Sequence, residues 1–289
     1  MMASPGGPSL LADPKLSREE RQAIEARLGI DQPATVQYAR WLGRAIRGDL
    51  GHSFLYQTPT LATISARLPA TLTLAGSAIL LSLVIGVPLG ALGASRPGSL
   101  VDRVASTGSV LLLSTPAFWL GIMLILVFAV QLRLLPAGGA TTDGGDGALA
   151  DRVRHLVLPA TVLAAAGLAE LVRYSRSATR AALAQPFLRV ARARGVPVNA
   201  LLWRHAVPNA LITVTSVVGL QLPRLIGGAA ITETVFSWPG MGRLGVEAAL
   251  GRDYPLVMGV TLLVSAAVVV ASLVVDVVQM ALDPRIRAS

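Results

Sequence analysis

The sequence predicts an all-α, polytopic membrane protein. Three observations support this: an apolar composition, five long apolar runs, and basic residues placed between those runs. Of the 289 residues, 53% are hydrophobic and 14% are charged, and the mean hydropathy is +0.62. An ordinary soluble domain carries roughly 25% charged residues. A soluble core of this length cannot hide so much apolar surface, so we expect lipid to be the solvent for much of the chain.

The net charge of +9 raises the question of a nucleic-acid ligand. The basic residues lie between apolar runs, however, which is the pattern of loops in a membrane protein. We therefore expect a lipid bilayer and no nucleic acid among the partners. The chain has no cysteine, which excludes disulfides, Cys-based zinc sites and thiol nucleophiles.

The first 69 residues are polar and mixed in charge, and they predict an extracytoplasmic N-terminal segment with short helices. One helix is expected over 16–29, where Ser17 and Glu20 have the spacing of a capping box. A second helix is expected within 32–51.

Residues 70–289 form the predicted transmembrane domain. A membrane helix needs about 20 apolar residues to cross roughly 30 Å of hydrocarbon. Five runs meet that length, and Pro116 is expected to kink the second of them. The predicted spans are 70–95, 104–132, 156–178, 206–232 and 255–280.

The basic residues orient these spans. Arg96 and Arg103, the arginines before residue 206, and the tail 283–287 all fall on one face, which the positive-inside rule makes cytoplasmic. The C-terminus is then cytoplasmic and residues 1–69 are external. Because no apolar helix precedes that external segment, we expect a sixth, N-terminal membrane helix in the complete protein.

A basic segment at about 185–205 lies between the third and fourth predicted spans. Seven arginines occur from Arg173 to Arg204, with no acidic residue between Glu170 and Glu233. Gly195 and Val196-Pro197 predict a turn between two helices. Two interpretations remain open: an apolar knob for the groove of a partner protein, or an amphipathic segment resting on anionic lipid headgroups. The residues that would form the knob are Leu188, Ala191, Val198, Leu201 and Leu202.

Several short motifs stand in one order along the chain: RLPATLTL (67–74), RYSRSATRAAL (173–183), ETVFSWPGMGRL (233–244), RDYP (252–255) and DPRIR (283–287). In this order they resemble the inner-membrane permease subunit of a bacterial ABC importer, in the dipeptide, oligopeptide and nickel branch. That family has a cytoplasmic loop with the pattern E-A-A, three residues, Gly, nine residues, I-x-L-P. Ala191, Gly195 and Pro208 match this pattern, whereas Arg189 stands where the family has Glu.

The resemblance implies a function for the basic segment: it would be a coupling helix that docks on a separate cytoplasmic ATPase. The residues it assigns to coupling are Arg189, Ala191, Arg192, Arg194, Gly195, Val198, Leu201 and Leu202. It also implies a second homologous permease, two ATPase subunits and an extracytoplasmic solute-binding protein. The cargo would be peptides, with nickel chelates or glutathione-like compounds as alternatives, and transport would proceed by alternating access.

Two further sites are expected. By resemblance, Trp238, Pro239 and Gly240 lie at an external gate, although a rigid re-entrant turn explains this loop equally well. Arg224 is the deepest ionisable residue of its span and is expected to line the translocation pathway beside Gly227 and Gly228, because a charge in lipid is costly.

No nucleotide, cofactor or metal site is expected in this chain. A P-loop ends in Gly-Lys-Ser/Thr, and the one lysine, Lys15, follows Pro14. ATP would therefore be bound by partner subunits. The three histidines have no ligand spacing.

Three alternatives to an active permease are also considered. They are a membrane enzyme with a site in the cytoplasmic loop, a receptor or scaffold protein, and an inactive, truncated permease.

Overall fold

The computed structural model describes residues 17, 19, 20, 22, 32–142 and 148–282, without the side chains of residues 223, 224, 226–228 and 282. Within these residues the chain is helical, with one isolated bridge between His52 and Pro59. The first helices are α1 (Ala34–Ala45), α2 (Thr60–Ser95), α3 (Leu100–Ser114), α4 (Ala117–Gln131) and α5 (Leu149–Leu183). They are followed by α6 (Pro186–Ala193), α7 (Val198–Ala200, Leu201–Ala206 and Val207–Val235 in succession), α8 (Met241–Leu250) and α9 (Tyr254–Leu282).

Four of the described helices are long and apolar enough to cross a membrane: α2, α5, the first part of α7, and α9. The predicted second span is different, because residues 104–132 do not form one kinked helix. Helices α3 and α4 meet at an angle of 106°. Thr115 lies in extended conformation between them, which is favoured for a residue that precedes proline because it relieves the clash with the proline ring.

Helix α2 extends beyond the predicted span 70–95, because it already begins at Thr60. Residues 60–69 are too polar to read as a span, but Thr60 and Ile64 of this stretch are buried against the rest of the protein. Packing therefore supports a helical extension that hydropathy does not indicate.

Helices α2 and α5 form the most extensive helix pair of the bundle. Gly86 and Gly90 of α2 lie against α5, and a Cβ at Gly90 would overlap the hydroxyl of Ser175. Small residues four positions apart let two helix backbones approach closely in a membrane. Ser175 also donates a hydrogen bond to the carbonyl of Gly86 at 3.2 Å.

The capping pair predicted near the N-terminus is confirmed. The Ser17 hydroxyl accepts a hydrogen bond from the backbone N–H of Glu20, whose carboxylate in turn accepts from the N–H of Ser17. The rest of the helix expected over 16–29 lies outside the described residues. The second short helix expected within 32–51 corresponds to α1.

Candidate functional site

The basic elbow, residues 185–206, comprises α6, a turn and the start of α7. The turn is a Schellman motif: the N–H of Gly195 bonds to the carbonyl of Arg192, and the N–H of Val196 bonds to that of Ala191. Gly195 has φ +82°, in the left-handed region that favours glycine because it has no Cβ. A Cβ there would meet open space. Backbone conformation, and not crowding, therefore requires glycine at this turn.

A buried cluster fixes the elbow to the membrane helices. Leu188, Leu201 and Leu202 are only 2%, 3% and 1% exposed. Leu188 and Leu201 pack with Ala182 and Ala206, while Leu202 joins a second cluster with Leu171 and Val207. The expectation that Leu188, Leu201 and Leu202 present an apolar knob is therefore wrong. These side chains attach the elbow to α5 and α7.

The exposed surface of the elbow carries a different set of apolar side chains. Phe187, Val190, Val198 and Trp203 are each about half exposed, and Val198 is the one of these that sequence reasoning selected. Among the other predicted coupling residues, Arg189, Arg192 and Arg194 are exposed and Ala191 is half-buried. With the exposed Arg204, the elbow thus offers four cations beside an apolar surface, which suits a partner groove with acidic edges.

Helix α7 joins the elbow to the opposite end of the bundle. Its first residues form the second half of the elbow, and a π-helical stretch at Leu201–Ala206 runs directly into Val207–Val235. At 1.5 Å per residue the helix is about 55 Å long. Its far end carries Glu233 and leads into the gate loop, residues 236–240.

The residues expected to line a pathway lie along α7. Arg224, Gly227 and Gly228 belong to this helix, and the side chains at 224, 227 and 228 lie outside the described residues. One turn earlier, Gln221 is buried against α5, where its amide donates to the carbonyl of Gly167 at 3.1 Å and to the Glu170 carboxylate at 3.4 Å. The α5–α7 contact therefore contains polar groups inside the bundle.

The gate loop is folded into the bundle. Trp238 is buried, and its indole N–H donates to the carbonyl of Ala70 at 3.0 Å. Its ring packs with Leu74 and Ala160. Phe236, also buried, accepts a hydrogen bond at its carbonyl from the N–H of Gly139. Three segments that are distant in sequence, namely α2, α5 and the loop at Gly139, thus hold this loop in place.

The side chain of Glu233 connects the segments on both sides of the gate loop. Its fully buried carboxylate accepts from the Thr71 hydroxyl at 2.8 Å and from the N–H of Arg243, in the first turn of α8, at 2.9 Å. The Thr71 hydroxyl accepts in turn from the N–H of Met241 at 2.7 Å. A Cβ at Gly240 would overlap the Glu233 carboxylate. A larger residue at Gly240 must therefore displace that carboxylate, and Pro239 beside it is half-buried.

A second buried carboxylate, Asp253, fixes the segment between α1 and α2. It accepts from the Ser53 hydroxyl at 2.5 Å, from the N–H of Leu55 at 3.0 Å, and from the N–H of Leu256 in the first turn of α9. Nearby, the Tyr56 hydroxyl donates to Glu247 at 2.9 Å. Burial and this carboxylate raise the pKa of the Tyr56 phenol, because both disfavour the phenolate.

An ion pair fixes the helices near the elbow. Asp102 is buried at the start of α3, and both of its carboxylate oxygens bind the Arg176 guanidinium of α5, at 2.5 and 3.0 Å. The N–H of Gly98 donates to the same carboxylate. This bidentate pair joins the α2–α3 loop to the helix that leads into the elbow.

Sequence reasoning missed Thr71, Glu233 and Asp253 as structural residues of the gate end. Each lies inside a motif that the sequence marked, namely RLPATLTL, ETVFSWPGMGRL and RDYP. For Glu233 and Asp253 the available signal was an isolated carboxylate shortly before a glycine-rich or apolar helix start, where it can accept from free backbone N–H groups. Thr71 carries no such signal. No group of three His, Asp or Glu side chains able to hold a metal ion occurs in the part of the chain that the structure describes.

The fold is that of a multi-pass membrane protein, with the basic elbow at one end of α7 and the loop 236–240 at the other. The chain belongs to the family of the binding-protein-dependent transport system inner membrane component, whose model matches residues 86–288. This is a family of inner-membrane transport subunits, not of enzymes. Its members work in ABC transporters together with an ATPase and a binding protein.

Relatives of this chain match its sequence over nearly its whole length. The oligopeptide transport system permease protein AppB of Bacillus subtilis is 42% identical, over 99% of this chain and 92% of the relative. The probable D,D-dipeptide transport system permease protein DdpB of Escherichia coli is 39% identical, over 98% and 89%. A chain of the MetNI methionine ABC transporter, inward facing, shares the fold with a TM-score of 0.62 at 19% identity. This structural match covers 77% of the present chain and 97% of the MetNI chain.

Proposed function

We propose that this chain is one of two homologous membrane subunits of an ATP-driven importer for peptides. The names of the relatives, which refer to oligopeptides and D,D-dipeptides, support this cargo class. Two cytoplasmic ATPase subunits would bind the elbows, and an external solute-binding protein would deliver cargo at the gate-loop end. The C-terminus then lies in the cytoplasm.

The observation that carries the mechanism is the continuity of α7 between the two sites. The elbow is packed into the bundle through Leu188, Leu201 and Leu202, and the gate loop is hydrogen-bonded to Glu233 at the other end of α7. A displacement imposed on the elbow is therefore carried along one helix to the loop. In this account ATP-driven closure of the ATPases moves the elbow, and the gate loop opens or closes in response.

The partner-facing surface of the elbow has a defined chemistry. Val190 and Phe187 supply apolar contact, and Arg189, Arg192 and Arg194 supply charge at its edge. We assign ATPase docking to these side chains together with Val198. Gly195 acts indirectly, because it sets the angle between α6 and α7. Arg224, Gly227 and Gly228 remain our proposal for the pathway, on the strength of their place on α7 after Gln221.

Reconstitution of the chain with its partner subunits in proteoliposomes tests this function. ATP-dependent peptide uptake should be lost in Gly195→Trp, because a side chain at φ +82° rearranges the turn. Gly48→Trp is the matched control: Gly48 has φ +80° and also faces open space, but it lies outside the elbow. Full uptake by Gly195→Trp would contradict the coupling role. Loss in both variants would indicate general destabilisation and would also count against it.

A further inference from the structure

Helix α1 has two chemically different faces. Three exposed apolar side chains, Tyr38 and Leu42 of α1 and Ile46 directly after it, are spaced four residues apart and therefore form one stripe. They are 60%, 38% and 78% exposed. Arg40, Arg44 and Arg47 are exposed on the other side of the helix, and no acidic residue occurs between Asp31 and Asp49.

Helix α1 packs beside the ends of two helices that are long and apolar enough to cross a membrane. Ala45, at the end of α1, packs on a cluster that contains Ile64 of α2 and Leu256 and Val260 of α9. Val260 lies about 9 Å along α9 at 1.5 Å per residue, within the most apolar span of the described chain. The hydrogen bonds of Asp253 hold the segment that connects α1 to α2 against the start of the same helix. Helix α1 is thus held beside the ends of two membrane-crossing helices.

We propose that α1 is an interfacial anchor, with Tyr38, Leu42 and Ile46 inserted among acyl chains and Arg40, Arg44 and Arg47 bound to anionic phospholipid headgroups. An apolar stripe opposite a basic face is the pattern of helices that lie in the plane of a membrane surface. Charge complementarity favours anionic lipid over a neutral surface, since basic residues near a negatively charged bilayer are attracted to it. The ring of Tyr38 lies 6.0 Å from that of Trp41, and aromatic side chains of this kind favour the interface.

This anchoring does not depend on the proposed transport function, and its test needs no partner subunit. The chain has no cysteine, so a single introduced thiol can carry a nitroxide label without further mutation. Ile46→Cys places the label on the apolar stripe, and Arg44→Cys places it on the basic face as the matched control. The labelled full-length chain is reconstituted in phosphatidylcholine vesicles, with or without phosphatidylglycerol. Collision rates are then measured with oxygen, which is enriched in lipid, and with a water-soluble nickel chelate.

We expect oxygen to dominate at position 46 and the nickel chelate to dominate at position 44. Phosphatidylglycerol should deepen the label at 46, and the triple variant R40Q/R44Q/R47Q should abolish that shift. The arginines are exposed, so these substitutions leave the packing of α1 intact. Equal access of the chelate to both positions would overturn the proposal, because α1 would then stand clear of the bilayer. Shielding of position 46 from both reagents would also overturn it and would indicate a protein partner. A label depth that does not respond to phosphatidylglycerol would refute the anionic headgroup site.

Discussion

Thr71 and Glu233 are joined by a buried hydrogen bond of 2.8 Å between Oγ1 and Oε1, although they lie 162 positions apart. The same hydroxyl accepts from the N–H of Met241, so one side chain connects α2, the end of α7 and the start of α8. All three helices meet at the gate loop. The stability of that loop therefore depends on a threonine from a distant helix.

Replacing Thr71 with valine should destabilise the protein by about 1–3 kcal/mol, because it leaves a buried carboxylate oxygen and a backbone N–H without a partner. Thermal unfolding in detergent measures the effect. Thr73→Val is the control, since the exposed Thr73 hydroxyl bonds only to the carbonyl of Pro69 in its own helix. Equal unfolding temperatures for the two variants would refute the role given to Thr71.

Gly240→Ala tests the space beneath the gate loop. The added methyl group must displace the Glu233 carboxylate, and overpacking of this kind costs about 1–3 kcal/mol. We expect a lower unfolding temperature and reduced uptake by the reconstituted complex. In Gly43→Ala the new Cβ meets nothing within 4 Å, and the exchange favours the helix, so that control should be neutral or stabilising. A Gly240→Ala variant as stable as this control would show that the carboxylate is free to move.

The Asp102–Arg176 pair predicts a third stability effect. Arg176→Met leaves a buried carboxylate without its bidentate partner, and we expect a loss of about 2–3 kcal/mol. The guanidinium is one-third exposed, so the loss should fall below that of a fully buried pair. Arg173→Met removes an exposed arginine three residues earlier on the same helix. If Arg173→Met proved as destabilising as Arg176→Met, the effect would reflect loss of positive charge on the helix and not loss of the Asp102–Arg176 pair.

The raised pKa of Tyr56 predicts a pH dependence at high pH. The neutral phenol donates to Glu247, so its contribution to stability is complete below the ordinary tyrosine pKa of about 10. It is lost as the pH rises through the higher pKa of the folded state. Tyr56→Phe should thus be less stable than the parent near neutral pH, and the difference should shrink above about pH 10. Unfolding temperatures measured across this range check the sign, and a difference that grows with pH would contradict it.

The sequence predicted the broad architecture because its signals are local. Apolar runs locate the membrane helices, and the pair Gly195 and Pro197 locates the turn of the elbow. A capping pair such as Ser17 and Glu20 involves residues of a single helix turn, so it too is visible in the sequence. Hydropathy gives helix positions in this way, but it gives no contacts between helices.

The failures of prediction arose from contacts between distant segments. Leu201 and Leu202 read as an exposed knob, yet the spans before and after the elbow bury both. Residues 60–69 read as a polar segment, yet Ile64 is covered by α8 and α9, and the stretch is helical. Pro116 marks the break between α3 and α4, but no local pattern fixes the angle of 106°. The partner of Glu233 could not be inferred, because threonine occurs at many positions of the spans.

In the proposed transporter the elbow faces the cytoplasm and is covered there by an ATPase, while the gate loop faces outward. The most direct measurement is thiol labelling of Arg192→Cys, on the elbow, and Leu250→Cys, exposed at the C-terminal end of α8, the helix that follows the gate loop. A membrane-impermeant maleimide should label position 192 only in inside-out vesicles, and added ATPase subunits should protect it. Position 250 should react only in right-side-out vesicles. Labelling of Arg192→Cys from the outside, or labelling that the ATPase subunits leave unchanged, would contradict the account.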